Sequence, residues 1–139
     1  MVAVLHQHAR RRFPVGETRR LVANVVRGER KRLGELSIVY VTDGFMRSLN
    51  RRYLRHDRTT DVLSFSLGER GRLGGEIYVA LDQARRQARI YGASFREEVR
   101  RLIVHGVLHL AGYDDGTARG RTRMRKREDH YLTDAKKRG

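Results

Sequence analysis

Apolar positions along this chain recur at the spacing of a helix in some segments and of a strand in others. An apolar stripe at helical spacing follows Pro14, which suits the first turn of a helix, and predicts a helix that stops by Gly34. Short runs rich in β-branched residues predict strands at residues 2–7, 36–41, 61–67 and 75–80. The order of elements is mixed rather than strictly alternating, so the pattern predicts an α+β fold, a small mixed sheet flanked by helices.

Capping residues mark where further helices begin. Thr42 or Asp43 can cap one helix, and Asp82 is predicted to cap a second. The inner face of the first is expected to consist of Met46, Leu49 and Tyr53. A basic helix is predicted over residues 117–134, and residues 135–139 are expected to form a flexible tail at the end of a single domain that spans the whole chain.

One helix carries the most unusual polar residues. Ser94 and Glu97 form a capping box, so the helix begins just after Ser94. Over residues 102–111 it is apolar nearly all round, which is typical of a buried helix, and its polar side chains there are His105 and His109. Because they are four residues apart, both are expected on one face, one turn apart.

Two imidazoles on a buried helix need polar partners. One solution is a pair of core histidines that bond to the backbone, and the other is a zinc ion. Gly112 ends the helix, and the turn after it can fold Asp115 back over the pair, with Asp114 as the competing candidate. The resulting pattern, H-x-x-x-H-x-x-G-x-x-D, has the spacing of a known three-ligand metal helix. Three protein ligands leave one position open for water, as in catalytic zinc sites.

Gly106 separates this pattern from metalloproteases with the same spacing. Those enzymes place a glutamate base there, so their route is closed to this chain. The glycine is also expected to leave room for a bulky group near the metal.

The amino-acid composition limits the kinds of binding partner and the cellular compartment that we expect. The 139 residues include 31 Lys and Arg against 16 Asp and Glu, a formal charge of +15. Arginine-rich composition alone can reflect genome bias, but so large an excess over acids favours a nucleic-acid partner. There is no cysteine, which excludes disulfides and Cys-ligated zinc. Neither a long apolar run nor a signal-peptide pattern is present, so we expect a soluble cytoplasmic protein without a membrane partner.

Three ordered motifs resemble the YbeY family. Residues 105–115 read H-G-V-L-H-L-A-G-Y-D-D, similar to the family's H-G-x-L-H-L-x-G-Y-D-H. Residues 49–65 resemble its L-N-x-x-[YFW]-R-x-x-D-x-x-T-[DN]-V-L-S-F, and residues 74–79 its L-G-[DE]-I-x-[IV] strand. The resemblance covers roughly residues 36–132 and is specific, since the blocks occur in order.

The resemblance implies a fold, an activity and a cofactor. The implied fold is zincin-like, with a buried metal-binding helix packed across the sheet. The implied activity is a zinc-dependent, single-strand-specific endoribonuclease of 16S rRNA 3′-end maturation and ribosome quality control. Its partners would be single-stranded RNA and the small ribosomal subunit, not DNA. By position, one Zn²⁺ per chain is bound by His105 and His109, with Asp115 in place of the family's third histidine.

The family's arginine directly after the aromatic residue is displaced here. Leu54 follows Tyr53, and Arg55 comes one residue later. An arginine near the metal suits clamping of a phosphate, so Arg55 is the candidate catalytic arginine and Arg58 its alternative. The predicted RNA-binding residues are Arg51, Arg52, Arg55 and Arg58.

Two other functions are compatible with the same residues. One is a metal-dependent peptidase or amidohydrolase, against which Gly106 and the net charge argue. The other is a non-catalytic RNA- or ribosome-binding factor, in which Asp115 and Leu54 mark a lost activity.

Overall fold

The computed structural model describes residues 2–54, 60–68 and 71–138, excluding the side chains of residues 54 and 134–138. Within these ranges the strands are β1 (Val2–Gln7), β2 (Arg32–Val41), β3 (Val62–Ser66) and β4 (Arg72–Ala80). The α-helices are α1 (Val15–Gly28), α2 (Asp43–Leu49), α3 (Leu81–Tyr91), α4 (Phe95–Leu110) and α5 (Ala118–Arg138), with a π-helical turn, Asn50–Leu54, after α2. The predicted α+β class with a small sheet is confirmed.

The sheet is mixed, in the order β1-β2-β4-β3. β1 pairs parallel with β2, β2 pairs parallel with β4, and β3 pairs antiparallel with β4. Residues 2–7 form an edge strand, as predicted, and β3 forms the other edge. Since β3 has one paired side, its outer edge borders whatever packs or binds next to it.

The two faces of the sheet bury different sets of apolar residues. Ile77 and Val79 of β4 belong to the main core, which also includes buried residues of α1 and α4. The intervening Tyr78 lies on the opposite face, where a smaller cluster includes Met46 and Leu49 of α2. This alternation follows from the two-residue period of a strand.

α4 is the central helix. It contacts α1, α3, α5, β3 and β4, and its buried residues are Glu98, Val99, Leu102, Ile103, Val104, Gly106, Val107 and Leu108. It begins at the predicted capping box, in which Ser94 and Glu97 exchange side-chain to backbone hydrogen bonds. None of the helices within the described ranges combines the length and the hydrophobicity needed to traverse a bilayer.

At Gly106, α4 packs closely against the sheet. A Cβ atom there would lie 2.7 Å from Cγ2 of the fully buried Ile77 and 3.2 Å from Oγ of Ser64. The Ser64 hydroxyl donates a hydrogen bond of 3.2 Å to the carbonyl of Gly106. The expectation that this glycine leaves room for a bulky ligand is therefore wrong, because the sheet occupies that room.

Two predicted helix boundaries are also wrong. α1 ends at Gly28 rather than by Gly34, because Arg30 adopts a left-handed backbone conformation (φ 57°) that turns the chain into β2. Asp82 does not cap α3, whose N-cap residue is Ala80. The Asp82 carboxylate instead accepts hydrogen bonds from His8 and Arg11, which join the end of β1 to α3.

The predicted inner face of α2 is only partly correct. Met46 and Leu49 are buried, but Tyr53 is 58% exposed because the chain passes into the π-helical turn. At the other end of the chain, α5 continues to Arg138 and so includes most of the residues expected to form a tail.

We predict that Gly106→Ala destabilises the protein. Overpacking against Ile77 outweighs alanine's better helix propensity, for a net loss of about 1–2 kcal/mol in the free energy of unfolding. The matched control is Gly44→Ala in α2, where no atom lies within 4 Å of the added Cβ, and a gain of about 0.5–1 kcal/mol is expected. Urea unfolding measures both, and equal stability of the two variants would contradict the packing argument.

Candidate active site

Two carboxylates from different elements contact the two ring nitrogens of His105. Nδ1 lies 2.7 Å from Oε2 of Glu128 on α5, and Nε2 lies 3.3 Å from Oδ2 of Asp115 in the turn after α4. Burial lowers the pKa of His105, but the Glu128 hydrogen bond and the nearby acids outweigh it, so the pKa is raised above its usual value. The surroundings of this imidazole therefore favour positive charge.

Glu128 is itself held in place. Its side chain is 8% exposed, and its second oxygen accepts a hydrogen bond of 2.9 Å from Nη1 of Arg101. A buried carboxylate needs such partners, and here they are one arginine and one histidine of α4. Sequence reasoning missed Glu128, although it stands four residues after Met124 and four before Leu132, the residues that dock α5 on the core. This helical spacing places Glu128 on the face of α5 that docks on the core, and it was the signal in the sequence that could have identified the residue.

His105 and Asp115 line a cleft of about 580 Å³ at the junction of β3, α3, α4 and α5. Its other lining residues include two acids, Asp61 and Glu98, and two exposed arginines, Arg121 and Arg125. The cleft thus combines a carboxylate-rich interior with cationic side chains on α5.

An amide connects the two acids on the far side of the cleft. Nε2 of Gln87 donates to Oδ2 of Asp61 at 3.2 Å and to Oε2 of Glu98 at 2.8 Å. Burial raises the pKa of Glu98 more than the Gln87 hydrogen bond lowers it. Nothing in the sequence distinguished Glu98, which lies next to the capping box, from an ordinary first-turn acid of a helix.

The structure brings together two of the three predicted metal ligands. His105 and Asp115 lie side by side, whereas His109 is exposed and does not line this cleft. Within the described ranges, no three His, Asp or Glu side chains are arranged to hold a metal ion. The donor chemistry of the pair does fit one, since an imidazole oriented by a carboxylate and facing a second carboxylate is typical of metal-binding histidines.

The competing acid, Asp114, faces elsewhere. Its carboxylate accepts a hydrogen bond of 2.9 Å from the backbone of Gly116, and it lines a different depression from the one that contains His105. Of the predicted RNA-binding residues, Arg51 and Arg52 are exposed on the π-helical turn. Arg55 and Arg58 lie outside the described residues.

Glu29, at the end of α1, fixes the turn that carries Asp115. Its carboxylate accepts hydrogen bonds of 2.7 Å from the hydroxyl of Tyr113 and from Nη2 of Arg127, and another from the hydroxyl of Tyr131. Burial alone would raise the pKa of Glu29, but these donors outweigh it and lower the pKa below its usual value. One half-buried acid therefore joins the end of α1 to α5 and to Tyr113, two residues before Asp115.

These features define a class of protein: a cationic α+β domain whose central helix presents a histidine between two carboxylates to an open cleft. The comparisons with known proteins identify the family. The chain belongs to the endoribonuclease YbeY family, whose model matches residues 5–136.

Curated relatives and a solved structure agree with this assignment. Endoribonuclease YbeY of Chlorobium luteolum is 41% identical over 92% of this chain and 93% of its own. The protein of the same name from Salinibacter ruber is 41% identical over 94% of this chain and 89% of its own. A solution structure of a Thermotoga maritima protein has a TM-score of 0.68 at 26% identity, covering 97% of this chain and 89% of that one. The resemblance read from the three sequence motifs is confirmed.

We predict that Glu29→Gln lowers the free energy of unfolding by about 1–3 kcal/mol at neutral pH, because the donors lose a charged acceptor. The pKa of Glu29 is lower in the folded than in the unfolded chain, so its contribution is complete above the usual value of 4.5 and is lost as the pH falls through the folded value.

Urea unfolding at several pH values checks this. The gap between the parent protein and Glu29→Gln should be widest near neutral pH and should close in acid. Glu35→Gln, which removes an exposed acid from β2, serves as the control and should show little effect at any pH. A gap that stayed constant down to about pH 3 would contradict the assignment.

Proposed function

We propose that this chain is a zinc-dependent endoribonuclease that cuts single-stranded RNA. Its proposed role is 16S rRNA 3′-end maturation and ribosome quality control in the cytoplasm, with the small ribosomal subunit as partner. The observation that carries the proposal is the placement of His105 between Glu128 and Asp115 at the cleft, in a chain of this family.

The proposed ligands of one zinc ion per chain are His105, His109 and Asp115. The chemistry that zinc supplies when bound is Lewis acidity, which polarises a phosphodiester and activates water. Support for His105 and Asp115 comes from their proximity in the cleft. Support for His109 comes from its position one turn along α4 and from the family motif.

Glu128 is proposed as the positioning residue of the site. It accepts a hydrogen bond from Nδ1 of His105, and this contact keeps a proton on Nδ1 and directs Nε2 toward Asp115, so that Nε2 is the ring nitrogen that would give up its proton to bind a metal ion. Arg101 in turn fixes the Glu128 carboxylate. Because each ring nitrogen faces a carboxylate and Nδ1 bonds to Glu128, the imidazole cannot flip without losing a charge-assisted hydrogen bond.

Arginines are proposed to hold the RNA backbone. Arg121 and Arg125 line the cleft, and both are exposed. A phosphate that reaches His105 therefore passes these guanidinium groups. Arg55 is proposed to stabilise the charge that develops on the phosphate, with Arg58 as its alternative, on the strength of the motif they occupy.

We predict that His105→Ala, His109→Ala and Asp115→Ala each lose bound zinc. Cleavage of an unstructured RNA should fall about 100-fold or more, while a stable hairpin should resist even the parent protein. Elemental analysis measures the metal, and labelled oligonucleotides measure cleavage. The matched control is Asp114→Asn, which should retain both, since Asp114 faces away from His105.

The outcomes separate the competing functions. Cleavage that survives metal removal, or that persists in His105→Ala purified in the same way, would reject the proposed mechanism or reveal a contaminating ribonuclease. A parent protein that binds RNA without cutting it would support the non-catalytic factor. Zinc-dependent cleavage of peptides would support the peptidase.

A separate prediction addresses Glu128. Glu128→Gln should weaken zinc binding about 10- to 100-fold, because the neutral amide oxygen attracts the Nδ1 proton less strongly than a carboxylate does. Competition with a chelating dye measures the affinity, and circular dichroism confirms that the fold persists. Asp129→Asn is the control, because Asp129 also accepts a hydrogen bond from Arg101 but does not contact His105. Equal zinc affinities of the two variants would overturn the positioning role.

A further inference from the structure

Four aromatic rings form a continuous row on the sheet face opposite α4. The ring centroids of Phe45 and Tyr78 are 6.0 Å apart, those of Tyr78 and Phe65 are 5.9 Å apart, and those of Phe65 and Tyr53 are 5.4 Å apart. These four residues are the aromatic row. They are four of only ten Phe and Tyr residues in the chain, and none of them contributes to the main core.

The two ends of the row face solvent. Tyr53 is 58% exposed and Phe45 is 37% exposed, while Phe65 and Tyr78 are half-buried between them. A single exposed ring is ordinary, but a connected row of rings is a contiguous apolar patch of the kind that marks a binding surface.

The rim of the row is cationic. The segment that carries Phe45 and Tyr53 also carries three exposed arginines, Arg47, Arg51 and Arg52. Of the described acids near this segment, Asp43 pairs through Oδ2 with Arg86 at 2.8 Å, and the Glu76 carboxylate lies beside Tyr78, where burial and this carboxylate raise the pKa of the Tyr78 hydroxyl. A ligand for this surface therefore has flat apolar groups and negative charge.

The row and the cleft share one wall, the edge strand β3. Val62 lines the cleft and Ser64 bonds to α4, whereas the alternate residue Phe65 belongs to the row. A ligand that passes round the edge of β3 that pairs with no strand in the described part of the chain contacts both surfaces, since β3 separates them.

We propose that the aromatic row is a stacking surface for unpaired bases of RNA. The inference rests on the proposed function and adds to it the place where bases are held. Unpaired bases have the required flat faces, each is joined to a phosphate that suits the arginines, and stacking tolerates any base sequence. A base inside a duplex has no free face, so the row accepts single strands only.

The absence of tryptophan from the chain permits a direct test. Tyr53→Trp introduces a lone indole at the exposed end of the row, and its fluorescence should be quenched by a 2′-O-methyl oligoadenylate. An abasic oligonucleotide of the same length and charge should not quench it. The control is Ile90→Trp, which places an indole at a 77% exposed position of α3 and should not respond to either probe.

Affinity gives a second, independent measure. Tyr53→Ala should weaken binding of the oligoadenylate about tenfold or more, whereas Tyr53→Phe should bind like the parent and zinc content should not change. Two results would overturn the stacking surface and leave the proposed function intact. One is quenching by the abasic probe. The other is an oligoadenylate affinity of Tyr53→Ala equal to that of a parent protein that does bind RNA. A parent that bound no RNA would overturn both, and capture of an acidic protein by the row instead would overturn the stacking surface.

Discussion

The close packing of α4 against the sheet determines where the histidine of the site lies. At Gly106 the helix has no side chain, and the Ser64 hydroxyl and the Ile77 side chain fill the space that one would take. Because Gly106 packs against the sheet, the preceding residue, His105, lies at the boundary between the core and the cleft. His109, one turn further along, lies at the exposed end of the helix. The position of His105 is therefore a consequence of helix–sheet packing, and the turn after α4 and the docking of α5 add Asp115 and Glu128 to it.

The distribution of acids explains how a chain of charge +15 contains an acidic cleft. Glu17, Glu98 and Glu128 are buried, and two of them bind arginines. Glu17 accepts hydrogen bonds from Arg96 and Arg100, and Glu128 accepts one from Arg101. Acids bound in the interior leave the outer surface more positive than the composition alone suggests. The cationic exterior attracts RNA, but the acidic interior of the cleft repels its phosphates. A divalent cation held by the proposed ligands His105 and Asp115 would resolve this conflict, because it would supply positive charge at the proposed cleavage site.

The sequence predicted those parts of the fold that depend on local signals. The strands, the capping box at Ser94 and the order of the helices follow from periodicity and from side chains that bond their own backbone. The predictions are wrong where a contact with a residue that is distant in the sequence determines the local structure. The Asp82 side chain binds His8 and Arg11 instead of capping its own helix, and the space beside Gly106 is filled by Ile77.

The same distinction between local and distant contacts determines which residues of the candidate site the sequence could predict. His105 and Asp115 could be paired from their spacing around a helix end, since the geometry is local. Glu128 could not be assigned to His105, because 23 residues separate them and only the docking of α5 brings them together. Tyr53 was placed inward by helical spacing, but the π-helical turn changes the phase of the helix and leaves the ring exposed.

β3 lies between the two proposed surfaces, one of which is proposed to carry out cleavage and the other to select single-stranded RNA. Its alternating side chains serve the cleft on one face and the aromatic row on the other, so a five-residue strand takes part in both. In the proposed arrangement the cleft would recognise phosphate, which a duplex and a single strand both present. The row would recognise the face of a base, which an unpaired nucleotide offers. On this account the preference for single strands arises at the row rather than at the metal ligands, so loss of the row should relax the preference without abolishing the chemistry.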